Sequence, residues 1–385
     1  MILNQIAEDF KSLYKKEPLL VRSPGRVNLI GEHTDYNKGF VLPAAIDKAI
    51  YFAIAPSESK LCRLYAWDMN DHFDFQIDSF KKTEKVWPNY LLGVVDQFQK
   101  ADYELKGFDC VFGGDIPIGA GLSSSAAIEA GLAFIFNEMF DLKIDKLELV
   151  KMAQKAENEF VGVRCGIMDQ FINIFGAEHR VLKLDCRSLE FDYYPFEFDD
   201  IHVVLCDTQV SHSLASSEYN IRRQQCESGV RQLQKSFPAL QSLRDVSIEM
   251  LEEHRAKLDP VIYKRCDYVV RENNRLLAGC HDLQKGDLKA FGEKLYETHI
   301  GLRDDYEVSC PELDFLVDLT LNEGGVLGAR MMGGGFGGCT INLVQQNALE
   351  EFIEKAQKAY ETEMGKDLKI YITHIEAGTS IIQSV

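Results

Sequence analysis

Positive charge, paired cysteines and long apolar runs are what this sequence is short of. Lys and Arg number 42 against 60 Asp and Glu, a formal net charge of −18. A surface this acidic repels nucleic acid and anionic membranes, so neither is expected as a partner. An anionic ligand such as ATP would need a local cradle of metal, backbone N–H groups and a few Arg or Lys. Ten cysteines lie between Cys62 and Cys339, but no two form C-x-x-C and none stands near a histidine at zinc spacing. They read as small buried hydrophobes of a reducing cytoplasm. No apolar run reaches the ~18 residues that span a bilayer. The opening "MILNQIAEDFKSLYKKEP" has early acids and no apolar stretch of the signal-peptide kind. Internal repeats and low-complexity tracts are missing. So is the P-loop G-x-x-x-x-G-K-[ST], and a nucleotide phosphate would need another kind of cradle.

What is present suits a globular chain of about two domains: 385 residues, 46% of them hydrophobic. Apolar positions at Ile2, Ile6, Phe10 and Leu13 mark one face of a helix that stops at Pro18. Residues 19–78 read as strands and turns, 88–105 as a helix, 144–161 as another, and 165–195 as strand-like again. From about 200 the pattern changes. "IHVVLCDT" reads as a central strand, followed by long charged helical stretches at 216–237 and 262–298. A helix at 347–364 and the strand "KIYITHIE" close the chain. The boundary falls near 195–200, giving lobes 1–197 and 198–385 of an α+β fold.

Six stretches carry chemistry. The run "PGRVNLIGEHTDYNKGFVLP" from residue 24 crowds Arg26, Asn28, Glu32, His33, Asp35, Tyr36 and Asn37 around a buried-looking strand. In "PIGAGLSSSAAIEAGLAFIF", Gly119 and Gly121 let backbone approach a ligand, and three serines precede an apolar helix. A helix N-terminus offers free N–H groups and partial positive charge to a phosphate. One serine could ligate Mg²⁺; a plain serine cap would use only one of the three. The glycines from Gly333 to Gly338 match G-x-G-x-x-G, but the strand-like "CTINLV" follows them, so the dinucleotide reading fails. They let backbone pack closely beside the site. Glu157 shares a helical face with Val150 and Ala153 at the edge of a core stripe, where an unpaired charge is costly. A boundary ion pair with Lys or Arg would offset that cost; a metal explains it better if a phosphate site is near. Asp169, at the start of a new apolar element flanked by Gly162 and Gly166, is either a cap or a reactive acid. "SHSLASSEYNIRRQQCE" at 211–227 reads as a solvated helix start or a substrate lid.

Taken together, "PGRVNLIGEHTDYNKGFVLP", "PIGAGLSSSA", "CGIMDQF" and "GARMMGGGFGGC" resemble the galactokinases, in the superfamily that includes homoserine, mevalonate and phosphomevalonate kinases. "SSEYNIRR" and "GLRDDYEVSCPELD" extend the match to essentially the whole chain. The resemblance implies a two-lobed fold of mixed sheets with helical layers and an active site in the interlobe cleft. It implies transfer of the ATP γ-phosphate to the anomeric O1 hydroxyl of α-D-galactose. Asp169 matches the base and Arg26 its charged neighbour. Glu32, His33, Thr34, Asp35 and Tyr219, with Asp169, match the sugar-binding positions. Gly119, Ala120, Gly121, Leu122, Ser123, Ser124 and Ser125 match the phosphate loop, with Ser125 and Glu157 near Mg²⁺. The partners implied are galactose and ATP, with the chain a monomer or weak homodimer in the cytoplasm.

The chemistry is consistent with those roles. A carboxylate accepts two directional hydroxyls at once. A base must be ionised at working pH, which a neighbouring arginine favours. Two neighbouring functions stay open at this level. One is a kinase for N-acetylgalactosamine or arabinose; the other is a non-catalytic galactose-sensing regulator, against which the intact Ser123-Ser124-Ser125-Ala126 run speaks. Trp67 and Trp87 are candidates for an adenine wall or for plain core.

Overall fold

The computed structural model describes residues 2–382 apart from 118, 199 and 211–214, and describes residues 215–217 by their backbone only. Residues 19–114 supply five strands of a six-stranded sheet. Its order is Ser380–Ile381, Leu19–Asn28, Pro43–Pro56, Phe108–Gly114, Leu61–Ala66, Asp71–Gln76. Neighbours are antiparallel except Leu61–Ala66 against Phe108–Gly114. The outermost strand comes from the far end of the chain, so the last residues return to the first sheet.

The strand Leu19–Asn28 is buried on both faces towards its end. One face meets the apolar helix Ser124–Met139, which fits closely because Gly131 has no side chain. A Cβ there would lie 2.7 Å from Ser23 Oγ and 2.8 Å from the Phe52 ring. The ladder with Pro43–Pro56 shifts register between Pro24 and Arg26. A bulge of this kind re-aims a side chain, and beyond it the Arg26 N–H donates to the Leu122 carbonyl at 3.2 Å. The phosphate-loop candidate is thereby sewn to the strand that carries Arg26.

A second, antiparallel sheet runs Val326–Met331, Cys339–Gln345, Ile201–Asp207, Lys369–Thr373. The helices Leu288–Asp304, Pro311–Thr320 and Leu349–Met364 pack on it. A small sheet of Phe40–Val41, Arg180–Asp185 and Phe191–Pro195 completes the strands described. One buried apolar cluster continues from Val27, Leu29 and Ile30 to Leu276, Phe291 and Ile341, joining both sheets.

Three sequence expectations are corrected. Residues 165–195 are not all strand, because Met168–Phe175 is a helix. It is wedged so deeply that six of its eight residues, Met168, Gln170, Phe171, Ile172, Asn173 and Ile174, are buried. Short apolar runs rich in Ile and Phe cannot be told from strands by period alone. The helix at 144–161 is α only over Lys146–Lys155 and widens to a π-turn over Ala156–Val161. The stretch 262–298 is two helices, Pro260–Lys285 and Leu288–Asp304, separated at Gly286 (φ +72°). All ten cysteines are free; eight are buried, and Cys165 and Cys186 are partly so. No helix among the described residues is long and apolar enough to cross a membrane.

The fold places one charge at its centre. Arg330, in the strand Val326–Met331, is fully buried. Its Nε donates to the Leu29 carbonyl at 2.8 Å, Nη1 to the Met331 carbonyl at 2.5 Å and to Glu32 Oε1 at 3.1 Å, and Nη2 to the Asn28 carbonyl. Removing one member of such a pair leaves an uncompensated buried charge and costs about 3–5 kcal/mol. Arg330→Met is expected to lower chemical-denaturation stability by about that amount. Arg330→Lys should restore little, since an ammonium cannot span the same fork. Unchanged stability in both variants would show that the clamp does not hold the turn.

Candidate active site

Two turns and two helices surround a cavity of about 240 Å³. Glu32, His33 and Asp35 reach it from the turn after Leu19–Asn28, and Asp169 and Met168 from the start of the helix Met168–Phe175. Tyr219 enters from the helix Ala215–Leu233, and Gly333, Gly334 and Gly335 from the hairpin loop between the strands Val326–Met331 and Cys339–Gln345. The space is small beside a drug-sized pocket and suits a single sugar ring.

Asp169 is the hub. Arg26 grips it with two parallel bonds, Nε to Oδ1 at 2.7 Å and Nη2 to Oδ2 at 2.8 Å. Such a fork fixes distance and plane together. Arg26 Nη1 donates to the Gly121 carbonyl at 2.6 Å, and Ser123 Oγ donates to Asp169 Oδ2. Ser123 occupies the N-cap position of Ser124–Met139 in a left-handed conformation (φ +58°), yet its hydroxyl makes no cap bond. The plain-cap reading therefore fails for Ser123. The first-turn N–H groups of the helix are left for another acceptor.

Ala120 and Leu122 point into the core, at 0% and 1% exposure, so the loop can present only backbone and serines to a ligand. Gly119 and Gly121 have φ of +83° and +76°, a region that favours glycine.

Behind the loop, Ser125 Oγ donates to Glu157 Oε1 at 3.2 Å. Gln170 Nε2 donates to Glu157 Oε2 at 2.7 Å and to Glu129 Oε2 at 3.3 Å, and the Cys165 thiol donates to Glu157 Oε2 at 3.2 Å. Burial pushes the Glu157 carboxyl up, with the charge of Asp169 adding to it and the Cys165, Ser125 and Gln170 bonds opposing. Glu129 is raised well above the ordinary range by burial and then by Glu157, and its Oε1 has no partner. Two buried acids with spare acceptor capacity suit a cation beside them. Among the described residues no cluster of three or more His, Cys, Asp or Glu could hold a metal alone. Magnesium in phosphoryl transfer typically takes one or two protein oxygens and fills its shell with phosphate and water, so Ser125 and Glu157 fit it.

The turn 31–37 is held from below. Glu32 Oε1 also accepts the Gly333 N–H at 2.9 Å, and the Glu32 carbonyl accepts the Tyr268 hydroxyl at 3.0 Å. His33 stands at φ +62°, with burial first and Arg222 second driving its pKa down to about 3. Asp35 is pushed up to about 7, chiefly by burial and then by Asp169. Gly166 makes room for it, since a Cβ there would lie 1.7 Å from Asp35 Oδ2.

Thr34, expected at the sugar, does not line the cavity. Its hydroxyl sits between the Gly31 and Phe40 carbonyls, 2.8 and 2.5 Å away, where it braces the turn. Asn28 accepts the Leu42 N–H and Asn37 donates to the His33 carbonyl, so both satisfy backbone. Trp67 donates to Asp9 and the buried Trp87 to Asp71; neither lines this cavity. Of the 211–227 stretch, residues 211–214 lie outside the described residues. Arg222 donates to the Tyr306 and Glu307 carbonyls, both at 2.8 Å. Sequence reasoning missed Arg330, Glu129, Gln170 and Cys165. A lone charge inside the apolar strand "VLGARM" was the available signal for Arg330.

Three family models match. A "Galactokinase galactose-binding signature" covers residues 8–56, and the N-terminal and C-terminal domains of GHMP kinases cover 89–177 and 281–362. The chain is similar to a galactokinase of Roseiflexus sp. (strain RS-1), 43% identical over 97% of this chain and 96% of that one. A galactokinase of Thermotoga maritima is 42% identical over 90% and 95%. The fold is similar to a crystal structure of Lactococcus lactis galactokinase complexed with galactose, with a TM-score of 0.95 and 35% identity over 99% and 100% of the two chains. A mevalonate kinase structure, 19% identical with a TM-score of 0.62 over 93% of this chain and 99% of that one, shares the fold.

Asp35 supplies a pH test of the turn. A carboxyl raised from 3.8 to about 7 on folding contributes stability that is complete below about pH 4 and is lost as pH rises through 7. The thermal midpoint of the unliganded protein should fall between about pH 5 and 8, and Asp35→Asn should flatten that fall. An identical slope in the variant would count against the shift.

Proposed function

The chain belongs to the galactokinase family, and from that premise we propose which of its residues carry the reaction. The protein is a galactose kinase with ATP as co-substrate. In the proposed step the anomeric O1 hydroxyl of α-D-galactose gives its proton to Asp169. The O1–Pγ bond forms as the bond from Pγ to the bridging β-γ oxygen breaks, leaving galactose 1-phosphate and ADP.

One observation carries this assignment. Asp169 is bound at once by Arg26, from the strand before the signature turn, and by Ser123, from the glycine-rich loop. Sugar site and phosphate cradle thus meet on one carboxylate. The transition state of phosphoryl transfer is loose, so the nucleophile needs little deprotonation early and positioning dominates. Asp169 orients the hydroxyl and takes its proton late. Arg26, charged at any working pH, keeps the carboxylate fixed and puts positive charge beside the transferred group. The loop from Gly119 to Ser125 and the first turn of the following helix hold the phosphates. Ser125 and Glu157 hold Mg²⁺, which when bound offsets charge on the β- and γ-phosphates.

Glu32, His33, Asp35 and Tyr219 bind the sugar hydroxyls. Glu32 keeps Oε2 free of the Arg330 and Gly333 bonds, which both fall on Oε1. The ten free cysteines favour a reducing compartment, and we place the enzyme in the cytoplasm.

ADP release from Mg-ATP over a panel of galactose, N-acetylgalactosamine and arabinose is expected to show turnover with galactose. Silence with all three would favour the sensor, and turnover confined to the N-acetyl sugar a different kinase. Asp169→Asn should lower kcat by about 10²–10⁴-fold with galactose binding retained by calorimetry, and Arg26→Ala by about 10²-fold or more. Near-normal turnover in Asp169→Asn would falsify the base assignment. Glu157→Gln should raise the Mg²⁺ concentration needed for half-maximal rate by about tenfold; an unchanged requirement moves the metal elsewhere.

A further inference from the structure

His33 is 5% exposed, and its ring edge lines the cavity. Its Nδ1 lies 2.8 Å from the Tyr36 hydroxyl, that hydroxyl 2.7 Å from the Tyr306 hydroxyl, and the latter 3.2 Å from Cys226 Sγ. Tyr306 is fully buried and its ring lies tilted at 4.9 Å from the imidazole, while Tyr36 is partly buried. At the other end of the ring, Nε2 is buried and has no partner. A buried polar atom left open at a cavity is reserved for what enters the cavity. The ring is neutral at working pH, since burial and Arg222 drive its pKa down to about 3. One nitrogen therefore carries a proton and the other a lone pair.

The neighbours decide which. Nδ1 is taken by Tyr36, and the Gly334 backbone presents an acceptor to the ring without completing a bond to Nε2, so a proton on Nε2 is favoured over a lone pair and remains free for a further acceptor. With the proton on Nε2, Tyr36 donates to Nδ1, Tyr306 donates to Tyr36, and the Cys226 thiol donates to Tyr306. Each hydroxyl then donates once and accepts once. We propose that Tyr36 and Tyr306 are positioning residues that hold His33 in its Nε2–H tautomer, so that it donates to a hydroxyl oxygen of the sugar. This rests on the galactose-kinase reading. It adds a specificity rule: His33 recognises an acceptor lone pair, and two phenols outside the sugar contacts enforce it.

Tyr36→Phe and Tyr306→Phe keep the rings and remove the hydroxyls. Loss of one buried hydrogen bond corresponds to about a tenfold change. The galactose KM is expected to rise about tenfold in Tyr36→Phe and about threefold in Tyr306→Phe, with kcat and the ATP KM nearly unchanged. With monodeoxygalactoses, the penalty of Tyr36→Phe should vanish for the one sugar that lacks the oxygen His33 contacts. The ¹⁵N imidazole spectrum, with His33 assigned by its loss in His33→Gln, should show the Nε2-protonated pattern in the unaltered enzyme and lose that bias in Tyr36→Phe. An Nδ1-protonated His33 in the unaltered enzyme, or an unchanged galactose KM in both phenylalanine variants, would overturn the proposal. The spectrum needs no sugar, so it reads the relay even if galactose turnover fails, an outcome that would count against the kinase reading alone.

Discussion

A fully buried guanidinium is the constraint on which the site depends. Arg330 belongs to the second sheet, yet three of its four contacts are the backbone of residues 28 and 29 and the carboxylate of Glu32. Burying that charge is tolerable only because every donor it aims inward finds an acceptor. The bond network has two consequences. It fixes the signature turn against the glycine hairpin, and it occupies one oxygen of Glu32, a residue that lines the cavity. The helix Pro260–Lys285 completes the grip from the opposite side. Glu272 accepts the Gly31 N–H at 2.9 Å and Asn273 the Phe40 N–H at 2.8 Å. A turn dense with polar side chains is thus held largely through its backbone, while Glu32, His33 and Asp35 line the cavity.

The same economy of space governs the acids. Asp35, Glu157 and Glu129 crowd around Asp169, whose charge adds to burial in making each of the three harder to ionise. Asp169 alone among them receives a bidentate arginine. The site thereby separates its carboxyls by partner: Asp169 is paired with a fixed cation, Glu157 takes hydrogen bonds from Ser125, Gln170 and Cys165, and Asp35 is raised towards neutrality by burial. Perturbed carboxyls gathered in a cleft are the usual mark of a working site.

The glycines serve this crowding. Gly166 admits Asp35. A Cβ at Gly335 would lie 2.2 Å from the Val308 carbonyl, and one at Gly337 2.1 Å from the Val210 carbonyl. The hairpin of Gly333 to Gly338 matches a dinucleotide motif only in spelling. It joins two antiparallel strands and uses its glycines to bring backbone to the cavity wall.

The sequence by itself determined the class of chemistry. Local features suffice for that: glycines and serines ahead of an apolar helix, a polar turn after a buried strand, an acid on a core-facing stripe. Each is written in neighbouring residues whose spacing directly sets their geometry. Most strand and helix positions were legible for the same reason. Met168–Phe175 was not, because burial on nearly all sides erased its period. Only the tertiary structure decided which polar groups meet. Ser123 could not be told from an ordinary cap until Asp169, 46 residues away, was seen to take its hydroxyl. Thr34 was expected at the sugar with its neighbours, which line the cavity, but the tightness of the turn points its hydroxyl at backbone carbonyls. Arg330 and Glu32, 298 residues apart, are brought together by packing between sheets. No local spacing encodes a partner at such distance, since its position depends on how whole layers bury their apolar faces.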